Sequence, residues 1–153
     1  MAPKIGEGTL TIDAQVAEMR ALYPSLALVQ VTPWIVLWQG TVQPLACEYQ
    51  IQLLFSFMSL PLASIQTDRV HVEVLSPLVT ARGSARCPHL YPNRVFPSRP
   101  RLCLHLPHEW DSSMLIALTI VPWTVAWLIA YEGWRATGQW FAGGHGTERE
   151  VRP

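Results

Sequence analysis

The 153-residue sequence has no excess of charge of either sign and almost no lysine. Eleven basic and eleven acidic side chains cancel at neutral pH. Because no net positive charge is present to gather phosphates, we expect no direct nucleic-acid partner. Lys4 is the only lysine against ten arginines. Coding bias explains this imbalance more simply than avoidance of self-modification on amines.

Further absences narrow the class of protein. The first ten residues lack the apolar core of a signal peptide. The three cysteines (Cys47, Cys87 and Cys103) are an odd number, which favours reduced thiols. We therefore expect a cytoplasmic protein. No Gly-rich nucleotide-binding motif occurs, so we expect no activating-enzyme domain.

The chain has enough apolar residues to fold without a metal or a disulfide. Half of its residues are apolar and 14% are charged, a balance that excludes intrinsic disorder. Apolar residues recur at helical spacing over residues 12–22, with Thr11 or Asp13 as the cap and Pro24 beyond the end. This pattern predicts an amphipathic first helix.

Three apolar segments then predict an antiparallel meander. Residues 33–44 read as a strand that turns near Gly40, and residues 46–60 as a largely buried strand. Residues 68–77 alternate apolar and polar side chains, which predicts a strand with one face in water. The apolar members are Val70, Val72 and Val74, and the polar members are Arg69, His71 and Glu73.

Residues 81–107 contain five prolines and little periodicity, which predicts a long irregular region. Long loops inside compact domains are usually functional. Helices should follow, with Ser112 or Asp111 capping a short one and Pro122 in the first turn of the next. The second helix carries an aromatic stripe that we expect to pack on the domain: Trp123, Trp127, Tyr131 and Trp134.

Residues 112–131 are twenty uncharged residues in a row, long enough to cross a bilayer. Pro122 interrupts the run, and no cluster of Lys or Arg flanks it. A small domain also needs an apolar helix to cover its sheet. We interpret the run as a core helix, with a small membrane-anchored protein as the alternative.

Cys103 allows several roles. Together with Cys87, His89, His105 and His108 it supplies the residue types of a zinc site, but nothing in the spacing makes the two groups converge. We therefore expect no metal and no cofactor. A cysteine hydrolase would need a histidine base and an orienting Asp or Asn, and no protease signature surrounds the thiol. A buried, inert cysteine is the remaining simple reading.

The order of motifs resembles the ubiquitin-conjugating-enzyme (UBC) family. Its elements here are W-x-G-x-x-x-P from Trp38, V-x-V-x-x-P from Val72, C-P-H-x-Y-P from Cys87, the sequence Leu-Cys-Leu around Cys103, and Trp110. The resemblance is closest to the bacterial branch, whose tripeptide tends to read His-Pro-His followed by Leu-Tyr-Pro. The aromatic segment from residue 119 to 140 is also similar to that branch, and the match covers roughly residues 10–142.

The resemblance implies an α+β, UBC-like fold: an N-terminal helix, an antiparallel meander, an active-site loop and C-terminal helices. It implies that Cys103 forms a thioester. His89 stands at the position of the family's Asn, which supports the loop and stabilises the oxyanion. Asn93 is a second candidate for that Asn, inside a link that is about six residues longer than in many relatives. His105 would tune the incoming amine or face solvent, and Cys87 replaces a structural His.

The resemblance also implies partners. Stand-alone bacterial relatives attach the C-terminus of a cGAS-like nucleotidyltransferase to a target in antiphage systems, and others serve ubiquitin-like modifiers. We expect such an acyl carrier that passes its cargo to an amine, in one domain over residues 1–142 with a flexible tail over 143–153. A non-catalytic binding module of the same fold is the alternative.

Overall fold

The structure, a computed structural model, describes residues 10–56 and 69–141. Within these ranges the chain is α+β: one helix, an antiparallel six-stranded sheet and a second helix. The sheet order is β1-β2-β3-β4-β6-β5. The elements are α1 (Ile12–Leu22), β1 (Leu26–Val31), β2 (Ile35–Val42), β3 (Tyr49–Ser56), β4 (Arg69–Ser76), β5 (Leu90–Tyr91), β6 (Arg101–Leu102), a 3₁₀ helix (Ile116–Leu118) and α2 (Ile120–Thr137).

Helix α1 begins and ends where the sequence predicts. The Thr11 hydroxyl accepts a hydrogen bond of 3.0 Å from the backbone N–H of Ala14, so Thr11 is the cap. The buried Gln15 side chain donates to the carbonyl of Met114 and accepts from the N–H of Ile116. These two bonds tie α1 to the segment before α2.

The predicted turn at Gly40 is wrong. Gly40 lies inside β2, paired with Leu26 on one side and Ile51 on the other. A Cβ at Gly40 would come within 1.9 Å of the Ser25 carbonyl oxygen, so glycine is needed there for close packing of the backbones. Strand β1, which pairs with β2, was not predicted from the sequence.

The alternation predicted for residues 68–77 is confirmed for its apolar members. Val70, Val72 and Val74 are buried against the core. The prediction that the opposite face lies in water is wrong at Glu73, which is only 8% exposed. The loop between β5 and β6 covers this carboxylate and binds it.

Helix α2 is a core helix. Pro122 lies in its first turn, as predicted. Trp127 and Leu128 are completely buried in one hydrophobic cluster with β2, β3 and β4, and Trp127 stacks on Tyr131. Of the described residues, only the helical stretch Ile116–Thr137 is long and apolar enough to span a membrane, and half of its most apolar window is buried. The buried half of this stretch packs against the sheet in the hydrophobic core.

The region 81–107 is mostly irregular, as predicted, but it contains the short strands β5 and β6. Leu90 pairs with Leu102, and Tyr91 pairs with Arg101. Residue 101 also pairs with Glu73 of β4, which attaches this strand pair to the main sheet. The predicted tail over 143–153 and the end of the strand predicted over 46–60 lie outside the described residues.

Candidate functional site

Cys103 directly follows β6. Its backbone N–H donates a hydrogen bond of 3.0 Å to the carbonyl oxygen of His89, which directly precedes β5. This bond continues the β5–β6 ladder by one residue pair. Cys103 is 5% exposed and lies between Leu102 and Leu104, which are also buried. The backbone thus holds the cysteine beside His89, in a largely closed position.

His89 has an unusual backbone conformation. Its φ is +56°, in the left-handed region where His is more common than most side chains but still infrequent. Its carbonyl oxygen accepts a second hydrogen bond, of 3.1 Å, from the indole Nε1 of the buried Trp127. The Cys103 N–H and the Trp127 indole N–H thus both bind this carbonyl oxygen and hold the His89 peptide in place. The bond from Trp127 also attaches the turn before β5 to the core.

Asn93 is the anchor of the loop between β5 and β6. Its amide nitrogen donates to the Glu73 carboxylate at 2.7 Å and to the carbonyl of Arg99 at 3.0 Å. Its amide oxygen accepts from the N–H groups of Val95 and Phe96, each at 3.1 Å. The side chain is 4% exposed, and all four bonds serve the loop and its attachment to β4.

His105 is turned toward the aromatic side chains around α2. Its ring lies 5.8 Å from that of Trp123 and 6.4 Å from that of Trp110. Its Nδ1 is 2.7 Å from the carbonyl oxygen of Leu106, which can only accept, so Nδ1 carries a proton there. The ring is half-buried and lines a cavity that Cys103 does not line.

The other two thiols lie in different surroundings. Burial raises the pKa of Cys87 to about 12, although the nearby Arg135 acts in the opposite direction. Cys87 is therefore protonated at neutral pH and a poor nucleophile. Cys47 is half-buried before β3, and its sulfur lies 3.6 Å from the Glu48 carbonyl oxygen. Within the described ranges, no group of three or more His, Cys, Asp or Glu side chains is placed to hold a metal ion.

Trp140 ends the aromatic segment noted in the sequence, but its contact with His89 was not predicted. Gly138, with φ +80°, ends α2 by donating its N–H to the carbonyl of Trp134 at 2.8 Å. The chain then turns back, and the Trp140 ring lies 5.0 Å from the His89 ring and 5.1 Å from the Trp127 ring. A glycine after the last periodic residue of a helix is a signal for such a reversal. Nothing local indicates that the following tryptophan would cover His89.

Comparison with models of known protein families identifies the family of this chain. The model of the type II CBASS E2 protein family matches residues 15–148. A search of curated proteins finds no match. The match spans most of the sequence, so the chain belongs to the type II CBASS E2 family. Membership in this family implies an E2-like role in CBASS antiphage defence. It also implies an activity of the conjugating-enzyme type and protein partners in that pathway.

Proposed function

We propose that the protein has a UBC-like fold and carries an acyl group as a thioester on Cys103. The hydrogen bond between the Cys103 N–H and the His89 carbonyl oxygen is the observation that carries this proposal. It joins the two residues that the family pattern makes nucleophile and oxyanion donor.

The chemistry needs two displacements at one carbonyl carbon. The thiolate sulfur attacks the C-terminal carbonyl of a partner protein already activated by another enzyme, and the bond to the activating group breaks with its electron pair. An amine nitrogen then attacks the thioester, the carbon–sulfur bond breaks, and the sulfur leaves as thiolate. The amine loses its proton to solvent, and an amide forms. A thiolate suits both steps because it is a good nucleophile and a good leaving group.

We assign His89 to the second displacement and Asn93 to the loop. An imidazole N–H stabilises the negative oxygen that develops when the amine attacks. All four of Asn93's hydrogen bonds are made to the loop and β4, which supports a positioning role. His105 faces Trp110 and Trp123, so we assign it no part in the transfer itself.

Family membership favours one cargo. In a CBASS setting, the carried C-terminus is that of a cGAS-like nucleotidyltransferase, with a ubiquitin-like modifier as the second candidate, and the acceptor is an amine. The reaction takes place in the cytoplasm. The burial of α2 within the core argues against the membrane-anchored alternative.

One observation favours a non-catalytic binding module instead. Cys103 is only 5% exposed, and a carrier thiol has to meet a protein C-terminus. The carrier mechanism therefore requires the segment around Cys103 to open. In the alternative, no opening occurs and Cys103 is dispensable.

The test is to co-express the protein with its genomic neighbours and run non-reducing gels. The wild type and the Cys47→Ala and Cys87→Ala variants should show an adduct that thiol reductants cleave, located on Cys103 by mass spectrometry. Cys103→Ala should abolish it. Cys103→Ser should trap a slower adduct that resists reductants, because a hydroxyl is a weaker nucleophile but forms an ester. The carrier mechanism is rejected if the Cys103→Ala variant still forms the adduct. It is also rejected if the wild type forms no adduct with any of its genomic neighbours.

A further inference from the structure

A cavity of about 430 Å³ lies beside the Cys103 segment. Its walls come from the start of β4, from β5 and β6, and from the segment between Leu104 and Trp110. This volume is within the usual range for small-molecule sites. Cys103 itself does not line the cavity, so the site is separate from the thiol although it lies next to it.

The cavity is basic and aromatic. Two arginines and two histidines line it: Arg69, His71, Arg101 and His105. None of the described lining residues is acidic. The rings of Tyr91 and Trp110, together with leucine, valine and proline side chains, form the rest of the wall. Such a wall fits a flat apolar body, and the basic groups fit a negative charge at its end.

The arginine in β6 supports an anionic ligand. The Nε of Arg101 is buried and has no hydrogen-bond partner among the described residues. The carboxylate opposite it in the ladder, Glu73, instead binds Asn93 at 2.7 Å and lies 3.8 Å from Arg99. A buried charged donor without an acceptor is costly. An oxygen atom of a ligand would supply the acceptor.

The basic groups that line the cavity affect the ionisation of His71. Burial and the charges of Arg101, Arg69 and His105 lower the pKa of His71 to about 4. Because the described lining holds two guanidinium groups and no acidic side chain, the cavity has a positive potential that an oxyanion would reduce. His71 is neutral at pH 7, which leaves the two guanidinium groups as the principal charges at this site.

We propose that this cavity binds a small ligand that carries an oxyanion, either a phosphate or a carboxylate, on a flat apolar body. The proposal goes beyond the acyl-carrier function because it requires neither the Cys103 thiol nor a conjugation partner. Both guanidinium groups bind the oxyanion, and Tyr91 and Trp110 contact the flat body.

Calorimetric titration of the full-length protein tests the site with three probes: AMP, indole-3-acetate and uncharged adenosine. We expect saturable binding of at least one anionic probe, and binding of adenosine weaker by about tenfold or more, since charged hydrogen bonds of this kind are worth roughly a factor of ten. Binding of AMP alone identifies a phosphate ligand, and binding of indole-3-acetate alone identifies a carboxylate. Failure of both at millimolar concentration overturns the proposal.

Substitutions of the lining arginines test whether the anion binds in this cavity. Arg101→Gln and Arg69→Gln should each lower the affinity for the anionic probe by about tenfold. Arg69 is exposed at the start of β4, so its variant stays informative if Arg101→Gln fails to fold. Arg86→Gln, an exposed arginine outside the cavity, should bind like wild type. Equal binding by wild type and a folded Arg69→Gln protein would reject this site, whatever the outcome of the thioester test.

Discussion

The backbone N–H of Cys103 donates its hydrogen bond to the carbonyl oxygen of His89 and not to the imidazole ring. The position of the cysteine therefore depends on the His89 peptide, whereas oxyanion stabilisation would depend on the His89 side chain. Substitutions that change the ring but keep the peptide conformation can separate these two contributions.

We expect His89→Ala to load the thioester and to transfer it about a hundredfold or more slowly, the usual cost of losing one oxyanion donor. The left-handed backbone at position 89 costs alanine about as much as histidine, since both carry a Cβ, so the loss of rate reports on the ring. His89→Asn is the matched control, because Asn tolerates this conformation and keeps an N–H donor. Single-turnover transfer from preloaded protein measures the effect.

Two outcomes would change this assignment. If loading and transfer fall equally in both His89 variants, the residue only holds the loop. If His89→Ala transfers at the wild-type rate, His89 is not the oxyanion donor.

Trp140→Ala should expose the Cys103 segment. The Trp140 ring covers His89, whose carbonyl holds Cys103, so its removal loosens the closed arrangement. We expect faster alkylation of Cys103 by iodoacetamide, followed by peptide mass spectrometry to separate it from the other two thiols. Phe141→Ala is the control, since Phe141 is 58% exposed, and its rate should match wild type. An unchanged rate in Trp140→Ala would show that other contacts close the site.

Asn93→Ala should destabilise the protein by about 1.5–3 kcal/mol, because it leaves the buried Glu73 carboxylate without its amide donor. Asn93→Asp should cost more, since it puts a second carboxylate against Glu73. Urea unfolding gives both values, with the exposed Arg94→Ala as the control. A value near zero for Asn93→Ala would contradict the anchoring role.

The free energy of unfolding should depend on His71 at acidic pH. Burial, with the charges of Arg101, Arg69 and His105, lowers the pKa of His71 from 6.5 to about 4. Between these values the unfolded chain binds the proton first. The contribution of His71 is therefore complete above pH 6.5 and is lost as the pH falls toward 4.

Urea midpoints measured from pH 7 to 4 should decline less in His71→Gln than in wild type. His108→Gln, at an exposed histidine outside the cavity, should follow wild type. Parallel curves for wild type and His71→Gln would show that His71 titrates normally.

Trp127→Ala should lose about 3–5 kcal/mol of stability, the usual cost of removing a large buried aromatic side chain. Trp127→Phe keeps a ring but loses the hydrogen bond to the His89 carbonyl, so we expect a smaller loss, which includes about 1 kcal/mol for that bond. Leu118→Ala, at a residue 58% exposed, should change little. A Trp127→Ala protein that unfolds like wild type would mean that α2 is not a core helix.

The sequence alone determined the features that depend on neighbours along the chain. The cap at Thr11, the helix Ile12–Leu22, Pro122 in the first turn of α2 and the alternating valines of β4 all follow from local spacing. Local preferences and periodicity are sufficient there because the partner is a residue three or four positions away, or a core that any apolar face would meet. The candidate residues Cys103 and His89 also came from a linear motif.

Tertiary structure decided where distant segments meet. Gly40 looked like a turn because glycine serves turns and close backbone contacts alike, and only the approach of Ser25 distinguishes them. Glu73 looked exposed because its burial depends on Asn93, twenty residues away. Trp140 covers His89 because α2 packs on the sheet and brings the residue after its end back to the turn before β5. In each case the contact joins residues that are far apart in sequence, at a separation that matches neither the helical nor the strand period. Such a contact forms only where packing and burial in the folded protein favour it.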